Sequence, residues 1–402
     1  KEQRHMNPHN IKGDHTMKLK IICIIAITVT FHLNASDQNS DIKYLECQNN
    51  VTTNSLKRIA FCGNAFYAVA GKRTVYSVDG NTWYADTTNN YQGPDLWGLS
   101  EQNSTIVAVG LNGTVLEKLS YLSEWEVIPY VPTKAWLTDV TGIPTSSSPR
   151  FIAVGDSGTI MIATDPWLWV KPVSPTTHLL YSVTTNGSRA VAVGWKGTIV
   201  YSDFPFDVWK QVETDTTIDY FGVKYIGDEF KIVGTKGTIA TFKNDSLSNL
   251  IQIGSTLWLT DICFFQNRFI VIDYGFGKIY QSSNGIDWKM TDSFGKSLCS
   301  IAQDDSNCHV VIVGDNGVIL TNATESSIYI DYYRRTMATN HSEISNNNES
   351  YLNYTINGKL LRKELKNAKI ARQILLRIPV RDKSEAPKKR QTTRAAQNCR
   401  LD

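Results

Sequence analysis

The sequence predicts an all-β chain, a seven-bladed β-propeller of four-stranded antiparallel blades, and three observations carry that expectation. A glycine-centred segment recurs seven times at a period near forty residues. Each copy is preceded by a strand with a fixed pair of apolar residues, and each is followed by a tight turn and further strand-like residues. No helical pattern interrupts the run before residue 331.

The recurring segment reads AVAGKRTV (68–75), VAVGLNGTV (107–115), IAVGDSGTI (152–160), VAVGWKGTI (191–199), KIVGTKGTI (231–239), VIDYGFGKI (271–279) and VIVGDNGVI (311–319). Aligned on the glycine, the positions are Gly71, Gly110, Gly155, Gly194, Gly234, Tyr274 and Gly314, spaced by 39, 45, 39, 40, 40 and 40, with only Tyr274 departing. The two-residue turns expected next are Asn112-Gly113, Ser157-Gly158, Lys196-Gly197, Lys236-Gly237 and Asn316-Gly317, where glycine supplies the positive φ of a tight hairpin. A third strand follows, as in Thr198-Ile199-Val200-Tyr201. An aromatic marks the fourth: Trp83, Trp125, Trp169, Trp209, Trp288 and, in the last unit, Tyr329, with Leu250 in that place in the fifth.

Upstream of each glycine stands an apolar pair three residues apart: Leu56/Ile59, Leu96/Leu99, Leu137/Val140, Leu180/Val183, Tyr220/Val223, Leu259/Ile262 and Leu298/Ile301. Residues three apart on a strand point to opposite faces, so both faces of each sheet are expected to be apolar. Such sheets need neighbours on both sides, and a ring of radial blades supplies them. Gly98, Asp139, Ser182, Gly222, Asp261 and Ser300, lying between the pairs, suit an innermost strand crowded around a channel. Pairing of Asp41–Cys47 with the last blade is expected to close the ring. An open solenoid shares the period but calls for atypical end units, and the first and seventh repeats are as regular as the rest.

The propeller is assigned to residues 37–331. Before it, residues 1–16 read as an upstream extension and residues 17–36 as a signal peptide. Met17-Lys18-Leu19-Lys20 is the basic region, Ile21 to Phe31 the apolar run, and Ala35-Ser36 the small-residue exit. The run is shorter than the roughly 20 residues a membrane span needs. Export to a periplasm or the cell exterior follows as the expectation, and with it disulfides become permissible. Cys299 and Cys308 flank one hairpin and are the favoured pair, free thiols being the alternative. After the propeller, residues 332–402 read as a basic linker and an amphipathic helix, otherwise disordered. Residues 336–356 are rich in Asn, Ser and Thr, and Leu361, Leu365, Ala368 and Leu375 fall near one face of a basic helix over 359–378. Such a helix can lie on an anionic membrane surface. This tail carries 16 Lys/Arg against 6 Asp/Glu, whereas residues 37–331 carry 20 against 30, an acidic body that argues against nucleic acid as a partner.

Over residues 55–331 the repeated Val-Gly-x-x-Gly core, with the hairpins Ser77–Trp83 and Ser282–Trp288, resembles the photosystem II stability/assembly-factor-like propellers, relatives of the Asp-box (BNR) repeat families. The resemblance implies the propeller fold and a protein-binding or assembly role without catalysis. In Asp-box hairpins the acidic or amide side chain bonds amides of its own turn while the Trp packs between strands. The chain departs from the assembly factors in having only five arginines in its body, Arg58, Arg73, Arg150, Arg189 and Arg268.

No catalytic constellation emerges. A sialidase-type site needs three arginines, an acidic acid/base and a tyrosine–glutamate pair; Arg377-Ile378-Pro379 resembles its arginine motif but lies beyond the last blade. The body has two histidines, His178 and His309, without zinc-ligand spacing, so no metal or cofactor is expected. The repeated Gly-x-x-Gly precedes a strand and not a helix, which excludes a phosphate cradle. Two groups remain. The residues preceding the turn glycine should form a rim for a protein partner: Arg73, Asn112, Ser157, Lys196, Lys236, Phe276 and Asn316. Trp-Leu-Thr-Asp occurs at 136–139 and 258–261, so Asp139 and Asp261 either face the channel or accept local backbone bonds. The reading is an exported, monomeric, non-enzymatic protein-binding propeller; the alternative is a sialidase-like glycosidase or a glycan-binding protein.

Overall fold

The computed structural model describes residues 41–47, 51–120, 123–144, 150–165, 168–254 and 256–322. Their strands form seven four-stranded antiparallel sheets. The inner strands are Leu56–Cys62, Leu96–Gln102, Leu137–Gly142, Leu180–Thr185, Tyr220–Ile226, Leu259–Phe265 and Leu298–Gln303, which define blades 1 to 7. Each packs against the inner strands of both neighbours, and that of blade 7 packs against that of blade 1, so the ring is closed. Closure is made as the sequence suggested: Leu45–Glu46 pairs antiparallel with Ile319–Thr321 and becomes the outermost strand of blade 7. The aromatic preceding that strand is the buried Tyr44, while Tyr329 lies outside the described residues. So do the leader at 17–36 and the linker and helix expected within 332–402.

Seven apolar clusters fill the seven clefts between consecutive blades, the one between blades 7 and 1 included. Trp83, Trp125, Trp169 and Trp209 are buried wedges at the outer end of these clefts, and Trp288 is half-buried against Phe269. In blade 5 the register of the outermost strand shifts opposite Ile239 and Thr241. That shift turns Leu250 outward, 44% exposed, and brings Leu247 against the core in its place.

The apolar pairs behave differently from expectation. Every inner strand carries a register shift one residue after its first apolar position, as between Leu56 and Arg58. An extra residue in a bulge reverses the alternation of faces. Leu56 and Ile59 therefore share one cluster, and the other six pairs do likewise. Both faces of each blade are still apolar, because the second strands supply the opposite face.

The turns after the second strands also differ in detail. In blade 5 Gly234 pairs with Thr238 across a three-residue turn, Thr235-Lys236-Gly237. Blade 1 is one residue shorter: Ala70 takes the place of the first glycine, pairs with Arg73, and Gly71-Lys72 makes the turn. Blade 6 is one residue longer, and Asp273, not Tyr274, takes the glycine's place opposite Leu259. The Asp273 carboxylate accepts bonds from the Trp258 and Phe276 amides, which braces the longer turn. The second glycine of the motif is required twice over. Gly113 has φ +67°, and an added Cβ would lie 2.1 Å from the Thr133 carbonyl oxygen of the next blade.

Cys299 and Cys308 are not bonded. Cys299 sits where the inner strand of blade 7 begins and Cys308 beyond its far end, so the strand Leu298–Gln303 holds them apart. The end at which the inner strands begin is called the upper face here; antiparallel pairing places the turns between second and third strands at that same end.

Candidate functional site

The third residue of each inner strand, just past the bulge, forms a ring around the channel: Arg58, Gly98, Asp139, Ser182, Gly222, Asp261 and Ser300. From blade 2 onward the order is Gly-Asp-Ser twice, with Arg58 left over. The repetition has a steric and a polar cause. A Cβ on Gly98 would lie 2.7 Å from Asp139 Cα, and one on Gly222 would lie 2.5 Å from the Thr260 carbonyl, so the residue before each Asp must be glycine. Asp139 then reaches forward to blade 4, where its Oδ2 accepts from Ser182 Oγ (2.8 Å) and the Val183 amide (3.1 Å). Asp261 repeats this in blade 7 with Ser300 Oγ (2.9 Å) and the Ile301 amide (3.1 Å). The preceding threonines repeat too: Thr138 Oγ1 donates to the Leu180 carbonyl (2.6 Å) and Thr260 Oγ1 to that of Leu298 (2.9 Å).

Arg58 joins the two halves. Its guanidinium lies 2.8 Å from Asp139 Oδ2 and 3.7 Å from Asp261 Oδ2, and Lys224 Nζ lies 3.9 Å from Asp261 Oδ1. All three members of the Arg58 set are buried. The two sequence-flagged carboxylates therefore do face one another through the channel and do accept backbone amides, both together. Each is committed to a cation, a serine and an amide. The signal that could have found Arg58 is its register: it is the only cation in an otherwise Gly/Asp/Ser column.

Above this plate, rings crowd the mouth of the channel. Trp97 meets Trp136 edge-on at 4.5 Å between centroids. Tyr181 contacts Trp195 (6.1 Å) and Phe221 (5.0 Å), and Phe221 contacts Trp258 (6.2 Å). They come from the bulged position of the inner strands, the residue before them, and the turn that follows the second strand. Trp195 is 45% exposed and Trp258 52% exposed. The Trp195 indole N–H is held by Tyr181 Oη at 2.7 Å, which fixes the ring upright on the surface. The sequence marks Trp136 and Trp258 in the repeated Trp-Leu-Thr-Asp but not their grouping with Trp97, Tyr181 and Phe221, because a bulged position is not visible in a period-2 pattern.

Five of the seven rim residues, Asn112, Ser157, Lys196, Lys236 and Asn316, occupy turn positions with φ between +50° and +58°. Asn112, Ser157, Lys196, Phe276 and Asn316 are exposed, while Lys236 is half-buried and donates to Thr217 Oγ1 at 2.7 Å. Arg73 is not a turn residue; the short turn of blade 1 makes it the first residue of the third strand, where it donates to the Asn89 carbonyl. Lys72 is the exposed turn cation there. Between blades 7 and 1, Asp315 accepts from Lys57 Nζ and from Tyr274 Oη, both at 2.7 Å. Burial pushes the Asp315 carboxyl up, but these bonds hold it below its ordinary range. The same hydrogen bond, with burial, raises the Tyr274 phenol to about 12.

At the lower end the hairpins Ser77–Trp83 and Ser282–Trp288 each close on a side chain of their own turn. Asp79 Oδ1 accepts from the Asn81 and Thr82 amides, and Asn284 Oδ1 from the Ile286 and Asp287 amides. Trp83 and Trp288 donate to the Gly80 and Gly285 carbonyls. Among the described residues no group of three or more His, Cys, Asp and Glu is arranged to hold a metal.

No family model matches the chain. No curated protein matches it either. Solved structures do. It is similar to YCF48 bound to a D1 peptide, with a TM-score of 0.59 and 16% identity over 71% of this chain and 96% of that one. YCF48 from Cyanidioschyzon merolae gives a TM-score of 0.57 at 16% identity over 69% and 98%. A streptogramin B lyase gives 0.60 at 11% identity over 71% and 100%. These likenesses show the β-propeller fold.

Proposed function

We propose that this chain is an exported, monomeric, non-enzymatic propeller that holds a segment of a partner protein across its upper face, as an assembly factor would. The observation that carries the reading is the arc of rings at the channel mouth, in which the half-buried Tyr181 and Phe221 brace the exposed Trp195 and Trp258. Exposed, pre-ordered aromatic residues are the anchors of protein interfaces, because they bury a large area at little conformational cost. The flanking turns add Lys196 and Lys236, which suits a partner segment with an acidic residue or a terminal carboxylate. YCF48, of the same fold, takes a D1 peptide, which supports a peptide ligand here. The basic tail would add contact with an anionic membrane. The Arg58–Asp139–Asp261 plate supports binding over hydrolysis, since each carboxylate is already paired with a cation, a serine and an amide.

Selection of displayed peptides against the full chain tests this. Selected peptides should bind Trp195→Ser/Trp258→Ser at least about tenfold more weakly, with the melting temperature unchanged. Peptides that bind the double variant equally well, or failure to select any, would remove the upper face as the site. Turnover of a fluorogenic sialoside above the buffer blank would sink the non-enzymatic reading and restore the glycosidase.

A further inference from the structure

Below the plate the channel opens into a chamber of about 480 Å³, within the range of small-ligand pockets, roughly 300–1,000 Å³. Its two sides differ. On one, Phe61, Tyr225 and Phe264 occupy equivalent positions of blades 1, 5 and 6. Each is paired directly across the hairpin with a second ring, Phe66, Phe230 or Phe269, at 4.9, 5.0 and 4.7 Å between centroids. On the other, blades 2, 3 and 4 present Ser100, Thr141 and Thr184. Their next residues are Glu101, Gly142 and Thr185, where blades 1, 5 and 6 have rings and blade 7, between blades 6 and 1, has Gln303. The floor carries Arg58 and Asp139, with Lys224 beside it.

We propose that this lower chamber binds a neutral saccharide, at a site separate from the upper face. A sugar ring has an apolar C–H face, which suits flat aromatic surfaces, and an edge of hydroxyls that both donate and accept. The chamber offers those two surfaces opposite each other. Its charges select against ions of either sign. A cation would meet Arg58 and Lys224, and an anion would meet Asp139 and Asp305. A neutral hydroxyl meets fixed charged donors and acceptors without disturbing their balance, and charge-assisted bonds are the stronger kind. Lys224 is the group best placed to reach it. It is partly exposed, lies 3.9 Å from Asp261, and an ammonium has three donors.

Saturation-transfer NMR on the full chain tests the site. The probes are the methyl glycosides of glucose, galactose, mannose and N-acetylglucosamine, with maltose, cellobiose and lactose, and choline and acetate as charged controls. At least one saccharide should bind in the millimolar range or tighter and receive saturation on its C–H face. Binding should weaken by about tenfold or more in Lys224→Ala and in Tyr225→Ala, and persist in Trp195→Ser/Trp258→Ser, which separates this site from the peptide site. Lys224→Ala decides the matter if Tyr225→Ala fails to fold. The proposal is overturned if no saccharide of the panel binds, if choline or acetate binds in preference, or if Lys224→Ala binds as well as the parent.

Discussion

The outer wall of the ring and the mouth of its channel both use tryptophan, to opposite ends. At the wall, Trp83, Trp125, Trp169 and Trp209 are driven between blades and touch little water. At the mouth, Trp195 and Trp258 stand in the solvent, held by other rings and by Tyr181 Oη. The wall residues lie just before an outermost strand or, for Trp169, within one, and close a cleft that only a large ring fills. The mouth residues lie on a turn and just ahead of a bulged inner strand, where no neighbouring blade covers them. Residue type alone does not assign duty; the position within the blade does.

The two largest effects should be alike in size and different in origin. Trp169→Ala and Trp209→Ala should each cost roughly 3–5 kcal/mol in chemical denaturation, through lost burial and an unfilled cleft. Trp195→Ala and Trp258→Ala should stay within about 0.5 kcal/mol. Equal losses from the two sets would erase the contrast. Arg58→Met should also cost roughly 3–5 kcal/mol, because Asp139 would be left buried without a cation and Asp261 with Lys224 alone, 3.9 Å away. Here the loss should be recoverable: adding Asp139→Asn and Asp261→Asn should return most of it, whereas no second substitution should rescue a wall tryptophan so simply. A triple variant no more stable than Arg58→Met would refute the electrostatic account of the plate.

A smaller effect is expected below blade 7. Burial raises Asp304, but His309, Ser306 and the Cys308 and His309 amides outweigh it and hold the carboxyl at about 2. A folded value below the unfolded value of about 3.9 means stability that is fully present above pH 4 and is lost as pH falls toward 2. Asp304→Asn should therefore lose roughly 2 kcal/mol at pH 7 and show a flatter acid-unfolding profile between pH 4 and 2. An unchanged profile would count against these bonds.

The smallest effect separates the rim cations from the mouth aromatics. Lys196→Glu with Lys236→Glu should leave stability within about 0.5 kcal/mol. It should slow association of a selected peptide and weaken its salt dependence, as rim charges do. An association rate unchanged at low salt would reduce these lysines to tolerated turn residues.

Much of this architecture was legible because it is local. The turn after each second strand is specified within about nine residues, so the seven copies, their spacing and the tryptophan at the fourth strand of five blades could be counted along the chain. Closure through Asp41–Cys47 could be anticipated because a ring of blades needs its two chain ends joined in one sheet, and the pairing of Leu45–Glu46 with Ile319–Thr321 makes that joint. The exceptions are places where one inserted or deleted residue moves the register. Asp273 and Arg73 each read one step away from where strand pairing puts them, and Leu250 three away from Leu247, since a sequence alignment has no knowledge of which carbonyl an amide meets.

The sequence by itself determined the repeat, the all-β character and the ring of seven. Tertiary structure decided that the apolar pairs share a face, because a bulge costs one residue of alternation and leaves no mark in composition. It decided too that Arg58 belongs with Asp139 and Asp261, which stand 81 and 203 positions away in the chain. No local rule joins residues so distant; only a closed ring, which brings the third position of every inner strand to one height around a common axis, makes them neighbours.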